Sequence, residues 1–525
     1  MKTTVVRPAD PELGAALRVA GGFGVFTVLL HIVLTLIGRY QGYGYFRDEF
    51  YYLICGRHLA WGYVDHGPLV ALQARLAEML FGKSLVGLRM FAALGGGGRV
   101  FLTGLIAWAL GGRRSAQVLG MIGIIVVPQY IGCDGYLSMN SVESLFWMTA
   151  LLAIILIQRG ASERLWLVFG LSAGLGLLNK PSMTFFLVAM LVALLLTPQR
   201  RLLMTPWMLA GIALLFAVVT PNILWQMHNH WPTLEFLQNG RIEHKNVILN
   251  PLAFLNAQFL GMHPINLLIW LPGLVWLLRQ STWRWLGFTF LLFLGIMMAL
   301  HAKDYYVVPI YPILFAGGGI AWESRLRESA KRPDPQRIFG FPLLESALVF
   351  TGLLILPMSS PVLTPSQWIA YTAALHLRDV ANKTENAETG PLPQFYADRF
   401  GWQEEVDQVQ RIADSLPPDQ RKQLVILCSN YGEASAINFL GHDLPTAVSG
   451  HNNYYLWGPG QLPGEVAIII ERNIPEHYLK YYDHVEIGGH MGTAWSMPFE
   501  HRNIYLLHGR HQDIQSLWPN EKDFI

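Results

Sequence analysis

Long apolar runs separated by short clusters of charge fill the greater part of the chain, and that pattern stops near Ser360. A membrane span needs about 20 apolar residues, with ~17 as a short limit. Eleven stretches qualify: 18–38, 86–110, 115–132, 141–158, 163–179, 182–198, 206–225, 261–279, 284–301, 304–322 and 340–357. Only Lys180 and Pro181 separate the fifth from the sixth, which read as a helical hairpin or a kinked pair. Beyond this region the periods shorten. Trp402, Val406, Val409, Ala413 and Leu416 share one helical face, while Leu424–Leu427 and Val466–Ile470 are compact apolar strands. The pattern predicts an α-helical multi-pass membrane protein with about eleven transmembrane helices over residues 1–358. A small C-terminal α/β soluble domain follows over 359–525.

Basic residues orient the spans. With the N-terminus cytoplasmic, the inner loops hold Arg113 and Arg114, Arg159 and Arg164, Arg200 and Arg201, then Arg279 and Arg284. The last holds Arg325, Arg327, Lys331, Arg332 and Arg337. An excess of Lys and Arg marks cytoplasmic loops, so eleven spans leave the C-terminal domain outside, in the periplasm of a Gram-negative cell. Two outer loops are long, 39–85 and 226–260. In the first, Leu69, Leu72, Leu76 and Met79 follow Pro68 at helical spacing, the pattern of a helix lying along the membrane interface.

Composition agrees. The 525 residues are 52% hydrophobic and 14% charged, against ~25% charged in soluble domains. A net charge of +2 gives no reason to expect a nucleic-acid partner. Cys55, Cys133 and Cys428 are too few for a disulfide scaffold. Among the 17 histidines no short spacing is a recognisable zinc motif.

The uncommon acids gather at outer ends of spans or in outer loops: Asp48 and Glu49 after the first span, Asp65 with His66, Asp134 after the third, and Asp304 beside Lys303. Ionisable groups at membrane depth are costly and mark functional cavities. Each has an ordinary alternative: Asp65 as a cap for the Pro68 helix, Asn140 with Glu143 as a cap for the fourth span, Lys303 reaching to the headgroups. Gly95–Gly98 in the second span reads as close helix packing through small residues.

Arg47-Asp-Glu-Phe-Tyr-Tyr52 and Gly62-Tyr-Val-Asp-His-Gly-Pro-Leu69 resemble the first outer loop of GT-C glycosyltransferases, closest to the protein O-mannosyltransferases and lipid A aminoarabinose transferases. Asp65-His66-Gly67-Pro68-Leu69 stands at the family's D/E-K/H-P-P-L-like motif, with Gly67 where proline is usual. Asp134, Pro221–Trp225 with His230-Trp-Pro232, and Lys303–Pro312 are further matches. Ala397–Trp402, Asn430–Ala434 and Ser449–Pro459 look like the tail of some bacterial members.

That resemblance implies inverting transfer of a sugar from a polyprenyl-phosphate carrier to a hydroxyl on a glycan, lipid or protein. Its general base would be Asp48, supported by Glu49, with Asp134 as a second acid. Lys303, Tyr305, Tyr306 and Arg241 would face the donor phosphate, with Lys180 a further cation. Asp65, His66 and His230 would line the substrate loops. Asp65 stands where some relatives hold a metal ligand; no essential cofactor is expected, and a divalent metal stays open. The competing reading is a multi-pass transporter of a lipid or small polar solute. Its charges would sit near the midplane of an internally repeated chain, and no repeat is visible here.

Overall fold

The structure, a computed structural model, describes residues 11–245, 247–331, 335–377, 386, 388–461 and 464–525. Two compact units divide it, each discontinuous in sequence. The first combines Met1–Ile37, Val86–Ile223 and Ile248–Val362; the second combines Gly38–Leu85, Leu224–Val247 and Leu363–Ile525.

The first unit is helical. Among the described residues five helices are long and apolar enough to cross a membrane: Glu12–Tyr40, Leu85–Ala109, Met139–Gln158, Pro206–His228 and Phe341–Met358. Two bent pairs bring this to seven if each is one span: Pro251–Gly261 with Pro264–Arg279 at 100°, and Asp304–Ile310 with Pro312–Leu326 at 54°. Arg114–Ile125, Leu165–Asn179, Ser182–Leu195 and Arg284–Ala299 are shorter apolar helices. All eleven predicted stretches are thus helical, several of them shortened or broken.

Proline sets the breaks. The residue before proline is pushed out of the helical region. Val127 is extended ahead of Pro128, which splits 115–132 into Arg114–Ile125 and Pro128–Cys133. Lys180 is extended ahead of Pro181, so 163–198 forms two helices. The core holds Trp147, Trp166 and Trp285, all at 2% exposure or less. The glycine run of the second span lies against neighbouring elements. A Cβ on Gly97 would meet Val28 and the Gly24 carbonyl, and one on Gly96 would meet the Asp134 carboxylate.

The second unit carries a five-stranded sheet. β1 (Leu424–Cys428) pairs in parallel with β2 (Val448–Ser449) and with β3 (Val466–Glu471). β5 (Asn503–Arg510) runs antiparallel to β3 and to β4 (Tyr482–His490), giving the order β2-β1-β3-β5-β4. The helix Trp402–Ser415 buries Trp402, Val406, Val409 and Ala413, the predicted face. The helix Tyr431–Leu440 packs against Arg47–Arg57, joining the 38–85 segment to the C-terminal residues. Phe50 lies 5.9 Å from both Trp402 and Phe439, and Lys83 donates to the Phe439 carbonyl at 2.6 Å.

The helix predicted after Pro68 forms at Pro68–Phe81. It buries Val70, Ala71, Ala74 and Ala77, while Leu72, Leu76, Met79 and Leu80 are exposed. Small residues face protein and large apolar ones face outward, as a helix at a lipid interface requires.

Candidate functional site

In the second unit the site is built on the helix Arg47–Arg57. Phe46 is extended, and its N–H donates to the Glu49 carboxylate at 2.8 Å. The Arg47 N–H donates to the Asp398 carbonyl at 3.0 Å. These bonds satisfy donors that a helix start leaves without partners. Glu49, nominated to support the base, is fully buried in this cap.

Asp48 and Tyr51 lie three residues apart and so share a helix face. The Tyr431 hydroxyl donates to Asp48 Oδ1 at 2.9 Å, and the Tyr51 hydroxyl donates to Asp65 Oδ1 at 3.0 Å. The two tyrosine rings stack at 4.5 Å with 28° between their planes. Two carboxylates are therefore each held by one ring of a stacked pair. Tyr431 opens its helix, whose Asn430 cap accepts from the Gly432 and Glu433 N–H groups. Arg47 Nε lies 3.6 Å from Asp48 Oδ1, and its guanidinium stands 5.5 Å from the Tyr431 ring and 5.6 Å from Phe499. Asp48 keeps 28% of its side chain exposed, which separates it from Glu49 and Asp134.

Asp65 is half-buried; burial raises its carboxyl above the usual range, Asp48 adds to this, and His66 and the Tyr51 bond oppose it. His66 stacks on Tyr63 at 4.5 Å, bonds the Gly67 carbonyl through Nδ1, and leaves Nε2 buried without a partner. The Ser449–Pro459 segment packs here: Asn453 accepts the Val64 N–H at 3.1 Å, and its own N–H donates to the Tyr51 hydroxyl at 3.3 Å. His230 and Arg241 are exposed on the same unit. Among the described residues no three His, Cys, Asp or Glu side chains are grouped to hold a metal ion, and all three cysteines are free thiols.

The first unit carries Asp134 and the Lys303 segment. Asp134 follows Pro128–Cys133, fully buried and paired with Arg99, with His31 Nε2 at 3.4 Å. The Arg99 guanidinium lies 3.8 Å above the Tyr130 ring. Arg99 and His31, which sequence reasoning missed, sit within long apolar helices, and ionisable residues in such places are themselves the signal.

Lys303 caps the short helix Asp304–Ile310 and is half-buried. The cation seated on Tyr305 and Tyr306 is Lys180, whose Nζ is 5.0 and 4.2 Å from their ring centroids. Lys180 also donates to Asn140 at 2.7 Å and to Glu143 at 3.3 Å, and Ser182 donates to the other Glu143 oxygen. Asn140 and Glu143 therefore hold a lysine instead of capping the fourth span; Ser138 is that helix's cap.

Several known proteins are similar to this chain. The family described as dolichyl-phosphate-mannose-protein mannosyltransferase (PMT_2) matches residues 65–225. The lipid A galacturonosyltransferase RgtD of Rhizobium johnstonii is 26% identical over 230 residues, 42% of this chain and 47% of that protein. The chain thus spans about half the length of the curated relative it matches. The crystal structure of ArnT from Cupriavidus metallidurans bound to undecaprenyl phosphate superposes on 92% of this chain and 98% of its own, with a TM-score of 0.59 and 14% identity. Its apo form covers 93% and 98% with the same score and identity. Several long apolar helices make the chain a membrane protein. Its fold, a helical membrane part with a small C-terminal sheet domain, is similar to that of ArnT.

Proposed function

We propose that the chain transfers a sugar from a polyprenyl-phosphate carrier to an acceptor hydroxyl, with inversion, on the non-cytoplasmic face of a bacterial inner membrane. The observation that carries this reading is Asp48: a partly exposed carboxylate, oriented by Tyr431 and placed beside a second acid site at Asp65. RgtD is a galacturonosyltransferase by name, the matching family is described as a mannosyltransferase, and ArnT was crystallised with undecaprenyl phosphate.

In this mechanism Asp48 takes the acceptor's hydroxyl proton as that oxygen attacks the anomeric carbon. The carbon–oxygen bond to phosphate breaks on the opposite face, and its electron pair leaves with the polyprenyl phosphate. Asp48 ends protonated. Charge gathers on the departing phosphate, so a fixed cation there lowers the barrier by ~3–4 kcal/mol if oxyanion-hole donors are a guide. Lys303 has that role, with Tyr305 and Tyr306 as hydroxyl donors and Lys180 behind their rings. Glu49 acts through the helix start it caps, and Asp134 through its pair with Arg99.

Asp48→Asn in membranes supplied with a polyprenyl-phosphate sugar tests the assignment. Transfer falls by ~10²-fold or more while the protein accumulates normally. Full activity in that variant rejects Asp48 as the base.

A further inference from the structure

Beside the Tyr431 ring the second unit carries an open cavity of about 300 Å³. Arg47 and Arg502 line it together with Glu471 and Asp523, two cations and two acids. That balance favours neither a phosphate nor a metal ion. The guanidiniums are already matched: Arg502 lies 2.8 Å from Glu433 and 3.2 Å from Glu471, and Arg47 lies against Asp48. Asn430 and His451 add neutral polar groups; His451 bonds the Ile525 carbonyl through Nε2, and its Nδ1 is buried without a partner. Tyr431 and Phe499 add aromatic rings to the lining.

Mixed donors and acceptors beside aromatic rings suit a ligand that is polar round its edge and apolar on its C–H face. A pyranose is such a ligand. The volume lies at the small end of ligand cavities, which run ~300–1,000 Å³, enough for a single ring. Tyr431 connects this cavity to the reaction, because its ring lines the wall and its hydroxyl is bonded to Asp48.

We infer that this cavity is a subsite for one neutral sugar ring of the acceptor, which makes the acceptor a glycan or glycolipid. The acceptor role rests on the transferase reading above; the binding of a sugar does not. Saturation-transfer difference NMR on the full chain in detergent, with millimolar methyl glycosides of glucose, galactose and N-acetylglucosamine, reads binding without turnover. At least one glycoside shows transfer in the wild type and equally in Asp48→Asn. Ser429→Leu, which fills the cavity from the end of β1, lowers that signal at least fivefold at an unchanged melting temperature. Asp523→Asn, a gentler change, lowers it about twofold. The subsite is overturned if no glycoside binds the wild type, if Ser429→Leu binds like the wild type, or if equimolar inorganic phosphate displaces the glycoside. Loss of the transferase reading appears elsewhere, as full transfer by Asp48→Asn with glycoside binding intact.

Discussion

Tyr431 donates its hydroxyl to Asp48 at 2.9 Å across 383 residues of sequence. Asp48 lies in the first turn of a helix in the first long loop, and Tyr431 opens one that packs on it from the C-terminal region. The bond holds the carboxylate in one orientation, because the Tyr431 ring is itself fixed by stacking on Tyr51. If Asp48 is the proposed base, a carboxylate so held reaches its substrate with less reorganisation.

Tyr431→Phe keeps the stack and removes the bond. Hydrogen bonds to charged groups contribute about 1.5–3 kcal/mol, so kcat falls roughly tenfold or more. The KM for the polyprenyl-phosphate donor stays within a factor of about two, because the change alters positioning of the base. Steady-state transfer with purified protein measures both. An unchanged kcat removes Tyr431 from the positioning of Asp48.

Asp398 responds to pH in the opposite sense to an ordinary paired carboxylate. It is 1% exposed, and burial pushes its carboxyl up to about 7, with Glu500 and Asp48 adding to the effect and Arg47 opposing it. In the unfolded chain the group titrates near 3.8. Between those values the folded chain holds a proton that the unfolded chain lacks. Its stabilisation is complete below about 4 and is lost as pH rises through 7, with a slope of about 1.4 kcal/mol per pH unit inside that window. Asp398→Asn abolishes this dependence. Melting temperatures of wild type and variant, measured from pH 4 to 8, diverge in favour of Asn up to about 7 and then run parallel. A constant gap contradicts the assignment.

Much of this was legible in order along the chain, and less of it in space. Hydropathy located the long apolar helices of the first unit, because burial in protein and exposure to lipid both select apolar residues, but the helix Pro251–Gly261 lies in what the sequence reads as the outer loop 226–260. Span length was harder, since Val127 and Lys180 look ordinary until the proline after each is read as a break. In the sheet, β1 and β3 are continuous apolar runs with nearly every residue buried, and were found. β4 was missed because it is an edge strand whose residues are mostly exposed. Asp48 was visible through its motif. Its partner Tyr431 was not, because no local spacing links a loop tyrosine to an acid 383 residues away. Seating Lys180 over Tyr305 and Tyr306 is the same kind of long-range fact.

The Arg99–Asp134 pair is held where water does not reach, with both side chains at 2% exposure or less. Removing one partner of a buried pair costs about 3–5 kcal/mol, because the other charge is stranded. Asp134→Asn therefore destabilises strongly, and Arg99→Met with Asp134→Leu recovers much of the loss. Gly96→Ala acts in the same direction, since its methyl group would occupy the carboxylate's position. Chemical denaturation in detergent ranks the three. A double variant weaker than Asp134→Asn contradicts the pairing.

Lys303 is near Tyr305 and Tyr306 in sequence, and Lys180 is near them in space. Lys303 is two and three residues from them in sequence, whereas Lys180 lies over their rings from the start of another helix. If both support the leaving phosphate through Tyr305 and Tyr306, their effects are coupled. Lys303→Gln and Lys180→Gln each lower kcat/KM for the donor. The double variant then loses less than the product of the two, with an interaction energy of at least ~0.5 kcal/mol. Lys180→Gln also strands Glu143, so Glu143→Gln is added to restore stability without restoring rate. A cycle of transfer assays over the four forms decides the matter. Strict additivity confines Lys180 to holding Asn140 and Glu143, and leaves the phosphate to Lys303.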